Sequence, residues 1–203
     1  MFSLGSLFTQ LFAKEKKARA DASRHLLVER IASQGQKAFV DVARRTGLTA
    51  SAVIGVKGPS LSGELRGVEL EVALAENRDE GLMMRFSAVA QAARPMVVNV
   101  SPKPTGLFAL FRKPTGVGDP EFDEVFTTRA SSLSDARVLL DERGRSTLLS
   151  LPDRMPMYFD YRDGSVILDV SGVELDPDRI TFVLEWLVTV ASGRPEGEKP
   201  YRG

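Results

Sequence analysis

The stretch Met157-Tyr158-Phe159-Asp160-Tyr161-Arg162-Asp163-Gly164-Ser165-Val166-Ile167-Leu168-Asp169-Val170 decides how this chain folds. Two runs rich in aromatic and β-branched side chains flank Asp-Gly, a dipeptide favoured in a type I′ turn because both central positions need a positive φ. The stretch predicts an antiparallel hairpin. Just downstream, Asp176-Pro177 places a capping carboxylate before a proline at the first helical position. Ile180, Val183, Leu184, Leu187, Val188 and Ala191 then recur at helical spacing. Phe182, Trp186 and Val190 form a second apolar row, which serves either the core or a partner.

Outward from this hairpin and helix, Val68-Glu69-Leu70-Glu71-Val72-Ala73-Leu74 alternates apolar with acidic positions, the pattern of a strand with one wet face. Ala52 to Val56, Met96 to Val100, Leu107 to Phe111 and Phe122 to Arg129 read as further strands. Gly81 to Ala93 fits both the helical and the strand period and is read as a strand from its neighbours. Gly58-Pro59 and Ser62-Gly63 read as punctuation between strands, and the repeated Lys-Pro-Thr-Gly at 103–106 and 113–116 as turns at the two ends of one strand. Ser134 to Leu151 reads as helical, with Ser134 as cap and Gly144 as the divider. A longer helical pattern covers Asp21 to Arg45, weakened at Gly35 and stopped at Gly47.

These readings predict an α+β fold: a mostly antiparallel sheet with N-terminal helices and a C-terminal amphipathic helix packed on it. The expected organisation is an amphipathic N-terminal segment over 1–20, a helix over 21–47, an α+β domain over 48–192 and a disordered tail over 193–203. At 203 residues the chain is long enough to bury roughly 70% of its extended surface.

Composition narrows the chemistry. There are 27 Lys plus Arg, 27 Asp plus Glu, one His and no Cys. The missing thiols exclude disulfide scaffolds, thiolate nucleophiles and Cys-rich zinc sites, and they fit a cytoplasmic chain. The single histidine, His25, excludes sites with two imidazoles, and no Ser or Asp constellation points to it as a general base. A balanced charge disfavours bulk capture of nucleic acid, which depends on basic excess.

The balance is uneven along the chain. Leu4, Leu7, Phe8, Leu11 and Phe12 share one helical stripe, with Phe2 before it and Lys14, Lys16, Lys17 and Arg19 behind it. An export signal carries its positive charges before the apolar run, so the order here argues against one. Twelve or so helical residues rise only about 18 Å, short of the roughly 30 Å hydrocarbon core. The segment can lie on a membrane with its lysines toward anionic headgroups, or pack on its own domain or a partner chain. Phe2, Leu4, Leu7, Phe8, Leu11, Phe12, Lys16, Lys17 and Trp186 are the candidate partner or membrane contacts.

Two constellations suggest chemistry. Residues 39–53 resemble a bacterial helix-turn-helix, with Ala43 between the helices, Gly47 at the turn and Thr49 capping a recognition helix. The cluster Asp119, Glu121, Asp123 and Glu124 puts Glu121 and Asp123 on one face if the segment is a strand, where paired carboxylates could bind a divalent cation. Asn99-Val100-Ser101 with Gly106 is similar to half of the PilZ cyclic-di-GMP motif, but Pro104 stands where that motif needs glycine and its Arg-x-x-x-Arg is absent.

Phe122-Asp123-Glu124-Val125-Phe126, followed by Ala136-Arg137-Val138-Leu139-Leu140 and the Asp163-Gly164 hairpin, resembles a bacterial domain family of unassigned activity. Leu61 to Val68 is similar to that family's upstream strand pair, which extends the resemblance over residues 48–192. Membership implies an α+β domain that relatives often carry beside membrane segments, and it nominates no catalytic residue. The expectation is a non-catalytic cytoplasmic binding or assembly module with a protein partner or a second copy, whose N-terminal segment also gives it a means of touching a membrane, and with no catalytic residue, metal ligand or cofactor assigned. The alternatives are a divalent-metal enzyme using 119–124 and a DNA-binding protein using 39–53.

Overall fold

The hairpin forms as its sequence requires. Asp163 and Gly164 adopt φ values of 49° and 85° between two strands paired in register from Met157↔Val170 to Arg162↔Ser165. This turn lies within a computed structural model that describes residues 30–52, 58–77, 81–91, 95–103, 116–151 and 157–193. Eight strands form one sheet: β1 (Thr49–Ser51), β2 (Ser60–Leu65), β3 (Val68–Asn77), β4 (Gly81–Ala90), β5 (Val97–Pro102), β6 (Phe126–Ala130), β7 (Met157–Arg162) and β8 (Ser165–Ser171). Their order is β1-β2-β3-β4-β8-β7-β5-β6, and every neighbouring pair is antiparallel. The helices are α1 (residues 30–46), α2 (Pro120–Val125), α3 (Leu133–Leu139), α4 (Glu142–Ser150) and α5 (Pro177–Ser192). This is the expected α+β fold, with an N-terminal and a C-terminal helix on a mostly antiparallel sheet.

The core lies between one sheet face and the helices. A continuous row of register partners, Val72, Phe86, Leu168, Phe159 and Val100, is buried on that face. Leu168 and Phe159 meet directly across β8 and β7. Over the row, α5 packs on β3, β4 and β8 and touches α4, while α2 and α3 sit against β6. Its two ends explain its extent: Asp176 accepts the Asp178 N–H at 2.9 Å, and Gly193 closes the helix in the left-handed conformation at φ 61°. Ala38, Phe39 and Val42 of α1 belong to the same apolar cluster, so the core runs on from the 48–192 region into the preceding helix.

Several local expectations are corrected. Residues 122–129 do not form one strand: 120–125 is helix α2 and the strand β6 begins at Phe126. Asp119-Pro120 is the same cap-plus-proline device as Asp176-Pro177, and it starts a helix there for the same reason. Ser132 rather than Ser134 caps α3, accepting the Asp135 N–H at 3.1 Å. The break in the 134–151 region falls at Leu140-Asp141, where Asp141 caps α4 by accepting the Gly144 N–H at 2.8 Å, so Gly144 belongs to the first turn of the helix instead of dividing it. Ser62-Gly63 lies inside β2, and the turn to β3 is Arg66-Gly67, a second pair with positive φ at 54° and 79°. Gly81–Ala90 is the strand β4, as read. Residues 53–57 and 104–115, which contain most of the expected 52–56 strand, the 107–111 strand and most of both Lys-Pro-Thr-Gly copies, lie outside the described residues.

Candidate functional site

The acidic cluster at 119–124 is tied into the backbone of its own domain. Asp119 accepts the Phe122 N–H at 3.2 Å with one carboxylate oxygen and Arg145 Nε at 2.6 Å with the other. Asp123 accepts the N–H groups of Val117 at 2.8 Å and Gly118 at 2.9 Å. The two arginines close the arrangement: Arg137 Nε donates to the Val117 carbonyl at 2.8 Å, and Arg145 Nη1 to the Leu140 carbonyl at 2.6 Å. A Cβ on Gly116 would overlap the Asp123 carboxylate, so the close approach of chain and side chain here requires glycine. The Phe122 N–H first, and Arg145 second, hold the Asp119 carboxyl below its usual range. An ionised cap bonded to a guanidinium is what such a clamp between α2, α3 and α4 needs.

The strand geometry that would have put Glu121 and Asp123 on one face is therefore absent, because these residues sit in the first turn of α2. Glu121 and Glu124 are exposed. Among the described residues, no group of three or more His, Cys, Asp or Glu is placed to hold a metal ion.

The helix-turn-helix expectation is corrected as well. Its first half stands: α1 runs to residue 46, and Gly47 at φ 79° donates its N–H to the Ala43 carbonyl at 2.9 Å. The second helix does not follow. Thr49 opens β1, which pairs Thr49↔Ser62, Ala50↔Leu61 and Ser51↔Ser60 with the edge of the sheet. The expected recognition helix starts instead as a strand, and Arg45 at the end of α1 pairs with Asp178 of α5.

Among the expected contact residues, Trp186 is corrected to a core position. It is 2% exposed, with its ring 5.6 Å from that of Phe159 and its Nε1 facing Gly144 of α4. The second apolar row of α5 serves the core with Trp186 and Val190, and only Phe182 of that row is exposed, under the Arg143 guanidinium at 5.6 Å. Phe2, Leu4, Leu7, Phe8, Leu11, Phe12, Lys16 and Lys17 lie outside the described residues, as does His25. Among the described residues no helix is long and apolar enough to cross a membrane.

A surface that the sequence expectations did not single out is the sheet face opposite the helices. One register row across it reads Ser62, Glu71, Ser87, Ile167, Asp160, Asn99 and Arg129. The next places Glu64 directly opposite Glu69, and Glu69 opposite Val89. Arg85 and Asp169 form a two-pronged cross-strand pair at 2.7 Å and 2.7 Å, and Asn99 Nδ2 donates to Asp160. Between β2, β3 and β4 the face hollows into a groove of about 610 Å³. Glu69 and Glu71, alternating with buried neighbours, were the visible trace of this face in the sequence; the acidic partner Glu64 was hidden because the Arg66-Gly67 turn is a weaker signal than Asp-Gly.

No family model and no curated protein matches the sequence. Among solved structures, the chain is similar to the crystal structure of the mycobacterial trehalose monomycolate transport factor A, TtfA, with a TM-score of 0.50 and 12% identity, covering 81% of this chain and 98% of that one. At that identity the likeness is one of fold, and it extends over nearly all of the crystallised chain.

Proposed function

We propose that this chain is a non-catalytic binding or assembly module, an accessory protein that works beside a membrane and reaches it through residues 1–20. The observation that carries the reading is the fold shared with nearly all of the crystallised chain of a transport factor. Two further observations support it. Two carboxylates of the 119–124 cluster, Asp119 and Asp123, are occupied by backbone N–H groups and an arginine. The apolar stripe from Leu4 to Phe12 with lysines behind it has the composition that lies in a lipid interface beside anionic headgroups.

Co-sedimentation of the full chain with phosphatidylcholine vesicles, with and without phosphatidylglycerol, tests the proposal. The chain is expected to pellet with the anionic vesicles, and the triple variant Leu7→Glu, Phe8→Glu, Leu11→Glu to stay in the supernatant. Recovery of the native chain in the supernatant of both vesicle types would overturn the membrane part of the reading.

A further inference from the structure

The open sheet face carries charge that the described residues leave uncompensated. Glu64 and Glu69 stand directly opposite each other, and Glu71 follows on the same side of β3. Like charges in directly opposed positions weaken a strand pair. Among the described residues none of the three is in a salt bridge; Arg66, the cation next in the chain, pairs with Glu185, and Arg85 on the adjacent strand pairs with Asp169. All three carboxylates line the groove between β2, β3 and β4, with Val89 at its side. Beside the groove, Val89, Ile167 and Tyr158 are 45%, 36% and 46% exposed. The register places them on a diagonal across β4, β8 and β7, one row apart at each step. The surface thus offers an apolar diagonal with an acidic flank.

One segment of this same chain has the complementary chemistry. Leu4, Leu7, Phe8, Leu11 and Phe12 form an apolar stripe, and Lys14, Lys16, Lys17 and Arg19 follow it. We infer that residues 4–19 seat on the open face of their own chain, the apolar stripe over Val89, Ile167 and Tyr158 and the basic run over Glu64, Glu69 and Glu71. The chain is long enough to do so. α1 lies on the covered face, where Gly35 meets Leu74 of β3 and Pro59, so the preceding residues must round the sheet edge at β1 to reach the open one. Drawn out, the ten residues 20–29 reach about 34 Å, against about 10 Å through one layer and two or three strand spacings of about 4.8 Å to round the edge at β1, so docking requires the helical pattern expected over 21–29 to open. Docking within one chain also has an entropic advantage over a separate partner, because the tether sets a high local concentration. The inference stands apart from lipid binding and is tested without vesicles; if both hold, the open face and the membrane compete for one segment.

The chain has no cysteine, so Ser6→Cys provides a single thiol for a nitroxide label on the full-length protein. In low salt, backbone amide signals of 69–73 and 87–89 are expected to lose most of their intensity, while those of α5, behind the sheet, keep theirs. The loss is expected to vanish in the same labelled chain carrying Glu64→Lys, Glu69→Lys and Glu71→Lys. It should also weaken in the unaltered sequence at about 1 M salt, where screening shortens to about 3 Å, an arm that needs no surface substitution to fold. Mixing nitroxide-labelled chains of natural isotope content with unlabelled ¹⁵N chains is expected to give no loss. Broadening in that mixture would place the segment on a second copy and overturn the inference, as would unchanged signals on β3 and β4 or a loss spread evenly over the surface.

Discussion

The two faces of the sheet differ by a one-residue step and by everything else. The row Val72, Phe86, Leu168, Phe159, Val100 and Thr128 is buried from β3 to β6, at 0–2% exposure. The row beside it, shifted by one residue on every strand, is Glu71, Ser87, Ile167, Asp160, Asn99 and Arg129. A strand presents alternate residues to alternate faces, so one sequence carries two messages interleaved at period two. The covered row fixes register through burial, since a slip by one would turn the apolar set into water. The open row is free of that demand, and it carries the acidic groove, the bidentate Arg85–Asp169 pair and the exposed apolar diagonal.

The largest test of this division is Leu168→Ala. Leu168 is fully buried and opposed by Phe86 on one side and Phe159 on the other. Its truncation is expected to cost about 2–5 kcal/mol, from lost transfer energy and the cavity left behind. Urea denaturation followed by the fluorescence of Trp186, the only tryptophan and itself packed on Phe159, reads this directly. A cost below that range would mean that the helices do not seal this face.

A smaller effect belongs to the clamp that holds α2, α3 and α4. Asp119 has its carboxyl lowered by the Phe122 N–H and by Arg145. A group lowered in the folded state contributes stability above its unfolded value of about 3.9, and loses it as the pH falls through the lower native one. Asp119→Asn keeps a capping oxygen for Phe122 but has no charge for Arg145. The variant is therefore expected to be less stable than the native chain at neutral pH, and the gap to close as acid protonates the native Asp119. Urea midpoints measured from neutral pH down to about pH 2, well below the ordinary carboxylate range, check the sign. A gap that persists unchanged in acid would show that the carboxylate charge has no part in the clamp.

How much of this was legible depended on whether the signal was local. Asp163-Gly164 and Asp176-Pro177 announce a turn and a helix start within two residues, and both form. The same cap-plus-proline signal at Asp119-Pro120 starts a helix of only six residues, and Phe122 and Phe126, four residues apart, fit the strand period as well as the helical one. Trp186 illustrates a limit of a different kind. Periodicity places it on a second apolar row, but only the arrival of Phe159 from β7 and Gly144 from α4 decides that this row faces inward. The open face was least legible of all. Its row is assembled from seven strands, and Glu64 meets Glu69 only because the Arg66-Gly67 turn sets that register. A pattern of charges spread over distant segments has no period in the sequence to betray it.

The smallest expected effect is the sharpest check, because it concerns the residue next to Leu168. Ile167 lies on the same strand, is of the same size and is equally apolar, but it points to the open face and is 36% exposed. Ile167→Ala removes a β-branched side chain from a strand and is expected to cost no more than about 1 kcal/mol, the span of strand preference itself. The same urea titration that reads Leu168→Ala reads this variant. A cost equal to that of Leu168→Ala would mean that the open face is sealed as tightly as the covered one, and the division between a stabilising row and an open one would fail. A cost within the expected limit leaves Ile167 as a surface residue on which the fold makes little demand.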